Sequence, residues 1–124
     1  MKSYTDLEQS KKLAEILPIE SADMYYLYDE HMEMYDDYPR LITDIDEFWD
    51  NDVPCWSLAA LLDVIPYNVS FNKAVYRFKL VKFSDHWECY HENFGTVSTE
   101  IFKADNPVDA CCEMILKLHE LKML

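Results

Sequence analysis

The sequence predicts an α+β fold: a single domain, residues 1–124, in which about three helices cover an antiparallel sheet, in the order α-β-β-α-β-β-β-α. The sheet combines a C-terminal β-meander with an N-terminal hairpin. Three observations predict it. An apolar stripe at helical spacing closes the chain, strict alternation of apolar and polar residues precedes it from Tyr76, and no repeat, linker or low-complexity tract divides the sequence. Half of the 124 residues are apolar, so the chain can bury a core of its own.

Thr5-Asp6-Leu7-Glu8 matches a capping box, with Leu7, Leu13, Ala14, Ile16 and Leu17 behind it and Pro18 as a stop, which predicts the first helix. Between Met24 and Tyr38 helical and extended readings compete. The aromatic run Tyr25-Tyr26-Leu27-Tyr28 favours an extended hairpin, because aromatic side chains suit a pleated surface. From Pro39 to Asp52 an irregular connection is expected, pinned by Ile45, Phe48 and Trp49. Pro54 reads as a helix start, and Ser57 to Ile65, apolar almost all round before Pro66, as a centrally buried helix.

Tyr76, Phe78 and Leu80 alternate with Arg77 and Lys79, and a Ser84-Asp85 turn leads to a second strand from His86 to His91. A two-residue loop sets Leu80 against Cys89, Phe78 against His91 and Arg77 against Glu92. The lone glycine falls in Asn93-Phe94-Gly95-Thr96, a turn into a third strand from Val97 to Phe102. Asn106 caps the last helix with Pro107 in its first turn. Its buried stripe is Val108, Cys111, Met114, Ile115, Leu118 and Leu121, and Glu113 and Lys117 stand four apart on the wet side.

Charge is distributed unevenly. Residues 20–63 hold thirteen acids and the single base Arg40, which accounts for twelve of the thirteen excess negative charges. The other eighty residues carry eleven acids and ten bases. A surface of that sign opposes direct nucleic-acid binding, which depends on Lys and Arg releasing counterions from phosphates. Tyrosine joins the acids in this region, and tyrosine is enriched where one end of a side chain must be apolar and the other wet. The expected interaction surface therefore comprises Tyr25, Tyr26, Tyr28, Glu33, Asp36, Asp37, Asp44, Asp46 and Trp49. Its expected partner is a basic protein surface.

Other chemistry is weaker in the pattern. A single glycine leaves phosphate-cradling loops without their usual residues, and HExxH, CxxC and GxSxG are absent. His86, Cys89 and His91 could ligate zinc, but alternation along a strand turns His86 away from the other two, leaving a buried thiol and a hydrogen-bonded imidazole as the competing reading. The acids between Asp44 and Asp52 suit a hard cation. However, Phe48 and Trp49 stand where a calcium loop places a ligand and its glycine. Cys55, beside Trp56 near a helix start, is either an acidified nucleophile or a core thiol. No cofactor or catalytic residue is assigned. With no export signal and no apolar run of membrane-spanning length, a cytoplasmic protein with four free thiols and no membrane partner is expected.

Three blocks carry a resemblance: Thr5 to Pro18 with Ser21 to Tyr26, then Pro54 to Leu62, and finally Asn106 to Cys111 with Lys117 to Leu121. Together they resemble a family of small proteins carried by phages and mobile elements of gut anaerobes. A looser likeness links the strands and the Asn-Pro helix start to phage sandwich domains, in which helices lie against a sheet. The resemblance implies a bacterial cytosolic setting and a prophage origin, and it brings no activity and no catalytic residues with it. Two further functions are compatible with these features: an anti-defence inhibitor that imitates nucleic acid, and a small metal-binding enzyme.

Overall fold

A computed structural model of the chain describes residues 1–43, 51–98 and 100–124. Its helices and antiparallel strands form an α+β fold, as the sequence predicts. The chain opens with helix α1 (Leu7–Ala14) and a short 3-10 turn at Ile19–Ser21. Five short strands follow: β1 (Met24–Tyr26), β2 (Tyr28–Asp29), β3 (Met34–Tyr35), β4 (Arg40–Leu41) and β5 (Val53–Cys55). Helix α2 (Leu58–Val64) then leads to β6 (Asn68–Phe71), β7 (Ala74–Lys82), β8 (Trp87–Asn93), β9 (Thr96–Val97) and β10 (Phe102–Ala104). Helix α3 (Pro107–Glu120) closes the fold.

The C-terminal strands form one antiparallel sheet in the order β10-β8-β7-β6, with β9 also on β8. Its register is the one that the two-residue loop dictates: Leu80 faces Cys89, Phe78 faces His91 and Arg77 faces Glu92. The period of two excludes any one-residue slip, which would turn Tyr76, Phe78, Cys89 and His91 outward, and the two-residue turn, closed by Phe83 N donating to His86 O at 2.8 Å, excludes longer ones. Strand β6 escapes the sequence reading because its four residues, Asn-Val-Ser-Phe, carry one fully inward side chain. Positive φ at Asn72 and Lys73, 50° and 66°, marks the tight turn that joins it to β7.

The third strand of the meander is not continuous from Val97 to Phe102. The sheet uses two short pieces, with Thr96–Val97 pairing the end of β8 and Phe102–Ala104 pairing its start.

Helix α3 lies across this sheet with Val108, Cys111, Met114, Ile115 and Leu118 in the core, and Leu121 is left near the surface. Asn106 accepts from Asp109 N at 2.9 Å and Pro107 occupies the first turn, as the cap pattern requires. Lys117 turns from Glu113 to Glu120, at 3.7 Å. Helix α2 adds Ala60 and Leu61 to the core but leaves Ala59, Leu62 and Asp63 exposed, so it is one-sided rather than buried all round. Pro54 does not open it. It stands in β5, an edge strand where a missing amide is tolerated, and Ser57 is the cap.

Strands β4-β1-β5 make a second, smaller sheet against α1. The capping box of α1 is shifted by one residue, to Asp6 and Gln9. Thr5 is recruited elsewhere: its backbone amide bonds Trp56 O at 2.9 Å, and its hydroxyl meets Ser10 Oγ at 2.7 Å and accepts from Trp56 N at 3.1 Å. Held extended by those bonds, Thr5 cannot begin a helix.

Candidate protein-interaction surface

The acidic region divides into a supporting layer and an outer ribbon. In the supporting layer, Tyr25 and Tyr26 lie on the central strand β1 of the small sheet, and both are buried. Tyr26 donates its hydroxyl proton to Thr5 O at 2.9 Å, and burial pushes its phenol well above the usual range. These two tyrosines therefore count with the buried residues: Tyr26 packs with Val53, Cys55 and Leu7 of α1, and Tyr25, which alternation turns to the opposite face of the strand, is buried as well. Asp23 and Asp52 are likewise used internally: Asp23 accepts from the Ser57 amide and hydroxyl, and Asp52 accepts from Tyr28 N at 3.0 Å.

The outer ribbon is the β2–β3 hairpin. Tyr28 faces Tyr35 across it, edge to face, with ring centroids 5.0 Å apart. Asp29 shapes its loop by accepting from His31 N at 2.9 Å and Met32 N at 3.2 Å, a local turn that competes successfully with any helix. Glu33 takes a positive φ of 52° at the end of that loop. The consequence is a run of outward side chains in which Glu30, His31, Met32, Glu33, Met34, Asp37, Tyr38 and Leu41 are all exposed. Tyr38 and Leu41 are 74% and 68% exposed, unusually bare for large apolar side chains that follow one another so closely.

Between the ribbon and the first turn of α1 lies an open depression of about 480 Å³, lined by Asp6, Leu7, Tyr26, Met34, Tyr35, Asp36 and Asp37. Asp36 is paired with Arg40 at 3.2 Å, and Lys11 stands over the Tyr35 ring at 5.1 Å. Glu30, Glu33 and Asp37 make no ion pair among the described residues. At Asp6, burial opposes ionisation, but the Gln9 amide and the Lys2 ammonium outweigh it and hold the carboxyl below its usual range. The depression thus offers carboxylates and apolar walls side by side.

The structure gathers Tyr28, Glu33, Asp36 and Asp37 on this ribbon, while Asp44, Asp46 and Trp49 lie outside the described residues. Sequence reasoning missed the exposed Met32, Met34, Tyr38 and Leu41 beside the acids. The signal was the failure of Met and Leu in 32–41 to match any helical stripe. Asp63 sits apart, at a second depression with Ile16, Leu17 and His119, beyond the other end of α1. The described acids of residues 20–63 therefore occupy more than one face.

The remaining candidates resolve into the framework. Cys89 and His91 are buried, and the His91 imidazole bonds Pro66 O through Nε2 at 2.8 Å. His86 points away from them, between Asp85 at 2.7 Å and Glu88 at 2.6 Å. Among the described residues, no three His, Cys, Asp or Glu side chains converge as a metal site requires. Cys55 is buried in β5 before α2 begins, its thiol donates to Thr5 O at 3.3 Å, and burial pushes its pKa up, so it is a core thiol and not an acidified nucleophile. Among the described residues, no helix is long and apolar enough to cross a membrane. No protein-family model, no curated protein and no solved structure matches the chain, so the placement of its side chains, and not kinship, carries the functional reading.

Proposed function

We propose that the β2–β3 ribbon and the depression beneath it dock a basic, amphipathic segment of a partner protein. The single observation behind this reading is the interleaving of Glu30, Glu33 and Asp37 with exposed Met32, Met34 and Tyr38. Carboxylates alone serve solubility. Carboxylates set among exposed methionines and tyrosine complement a segment that presents both ammonium or guanidinium groups and apolar anchors, and methionine adapts readily to such partners. Mimicry of nucleic acid fits less well, because duplex phosphates lie one per ~1.7 Å of axis without apolar side chains between them. A partner encoded by phage or host agrees with the resemblance in the three sequence blocks.

The test is capture of a partner from a bacterial lysate at about 0.05 M salt, compared with about 0.5 M, using the wild type and Glu33→Lys/Asp37→Lys. Steered association between opposite charges weakens as the Debye length shrinks, so a specific partner should be retained at low salt and lost at high salt or on charge reversal. Capture that is indifferent to the two reversals would exclude the ribbon as the docking surface.

A further inference from the structure

We infer that the chain pairs with a second copy of itself through the free edge of β6, joining two sheets into one around a two-fold axis. Strand β5 has Pro54, β10 has Lys103 and β4 has Arg40, each of which discourages another strand from adding on. Strand β6 has only Asn68, Val69, Ser70 and Phe71, with no charge and no proline, in a chain that is otherwise 28% charged. Among the described residues, no backbone hydrogen bond reaches its outer side.

Its pairing with β7 fixes which groups are free. Phe78 N donates to Tyr67 O at 2.8 Å, so Tyr67, Val69 and Phe71 turn their backbone groups toward β7 while Asn68 and Ser70 turn theirs outward. Side chains alternate in the same rhythm: Val69 is buried on the helix side, and Phe71, on that side too, touches Tyr76 edge to face but remains 41% exposed.

A two-fold axis normal to the sheet keeps the helix side common to both copies. Directly opposed residues share a face, so only registers that set a residue against one of equal parity are allowed. Centring on Ser70 sets Ser70 against Ser70 of the second copy and places Val69 opposite Phe71 on both sides of the axis. That register covers the exposed part of Phe71 twice and brings no charge against its like. It also lies in the nearly neutral part of the chain, away from the acidic ribbon.

Sedimentation of the wild type across a concentration series should show the mass doubling from 14.8 kDa. Ser70→Lys, which sets two ammonium groups across the axis, should remain at 14.8 kDa with an unchanged circular dichroism spectrum. Because each copy carries a net charge of −13, added salt should strengthen the pairing by screening repulsion, the reverse of its effect on the ribbon's partner.

The register is read with Ser70→Cys. Opposed Cα atoms in a hydrogen-bonded antiparallel pair lie about 5.5 Å apart, within disulfide reach. Oxidised glutathione should therefore cross-link Ser70→Cys at least about tenfold faster than Ser84→Cys on the exposed β7–β8 turn. The native thiols are buried and do not compete. A wild type that stays at 14.8 kDa up to about 1 mM, a doubled mass that Ser70→Lys leaves intact, or equal cross-linking of the two cysteine variants would each overturn the inference.

Discussion

His86, just before β8, and His91, within it, sit in opposite environments. His86 is held between Glu88 and Asp85, whose hydrogen bonds favour the imidazolium and raise its pKa above 6.5. His91 is buried, and burial lowers its pKa below 6.5 although Pro66 O accepts from its ring. The signs for stability follow. The contribution of His86 is present below 6.5 and is lost as pH rises through its raised value, whereas that of His91 is present above 6.5 and is lost as pH falls through its lowered value. An NMR titration should resolve two imidazole transitions on either side of 6.5, and coincident transitions would refute both assignments. Tyr26→Phe removes a buried hydrogen bond and leaves Thr5 O with the weaker thiol donor of Cys55. Urea unfolding should show a loss of about 1 kcal/mol.

Among the elements, α3 and the β7–β8 hairpin were the most legible, because cap, stripe and alternation agree along most of their length. Ile115→Ala should cost about 2–5 kcal/mol, since the side chain is wholly buried, whereas Leu121→Ala, at 41% exposed, should cost well below that. The β8–β9 turn carries a strain that its flanking strands tolerate: Phe94 has φ 46° beside Gly95 at 86° and projects fully into solvent. A type I′ turn favours Asn at that position, so Phe94→Asn should raise stability by about 1 kcal/mol in the same unfolding measurement. A hairpin within Met24–Tyr38 was legible from its aromatic run, but the bounds of elements of two or three residues were not, for the complementary reason. Strands β2, β3 and β4 are too short to display a period, and the small sheet joins segments distant in the chain, as where Met24 faces both Leu41 and Cys55.

Across the molecule, thirteen acids in residues 20–63 suggest one negative field, and the fold distributes the described ones over more than one face instead. Asp23 and Asp52 brace the small sheet, Asp63 borders the second depression, and the ribbon sets Glu30, Glu33 and Asp37, which make no ion pair among the described residues, beside exposed apolar side chains. Opposite salt responses are the global signature expected of this arrangement: partner capture weakening and self-pairing strengthening as ionic strength rises. A chain whose two associations respond alike would have its charge and its edges arranged differently from this one.

Local regularity carried the part of the protein that the sequence by itself determined: the α+β class, the caps and stripe of α3, and a β7–β8 register fixed by which face must be dry. Tertiary structure decided the rest. Whether Tyr26 faces solvent or core, whether Thr5 caps a helix or clamps Trp56, and which carboxylates remain free all depend on partners tens of residues away. Periodicity records only the side of an element on which a residue lies, and packing between distant segments determines which side meets water.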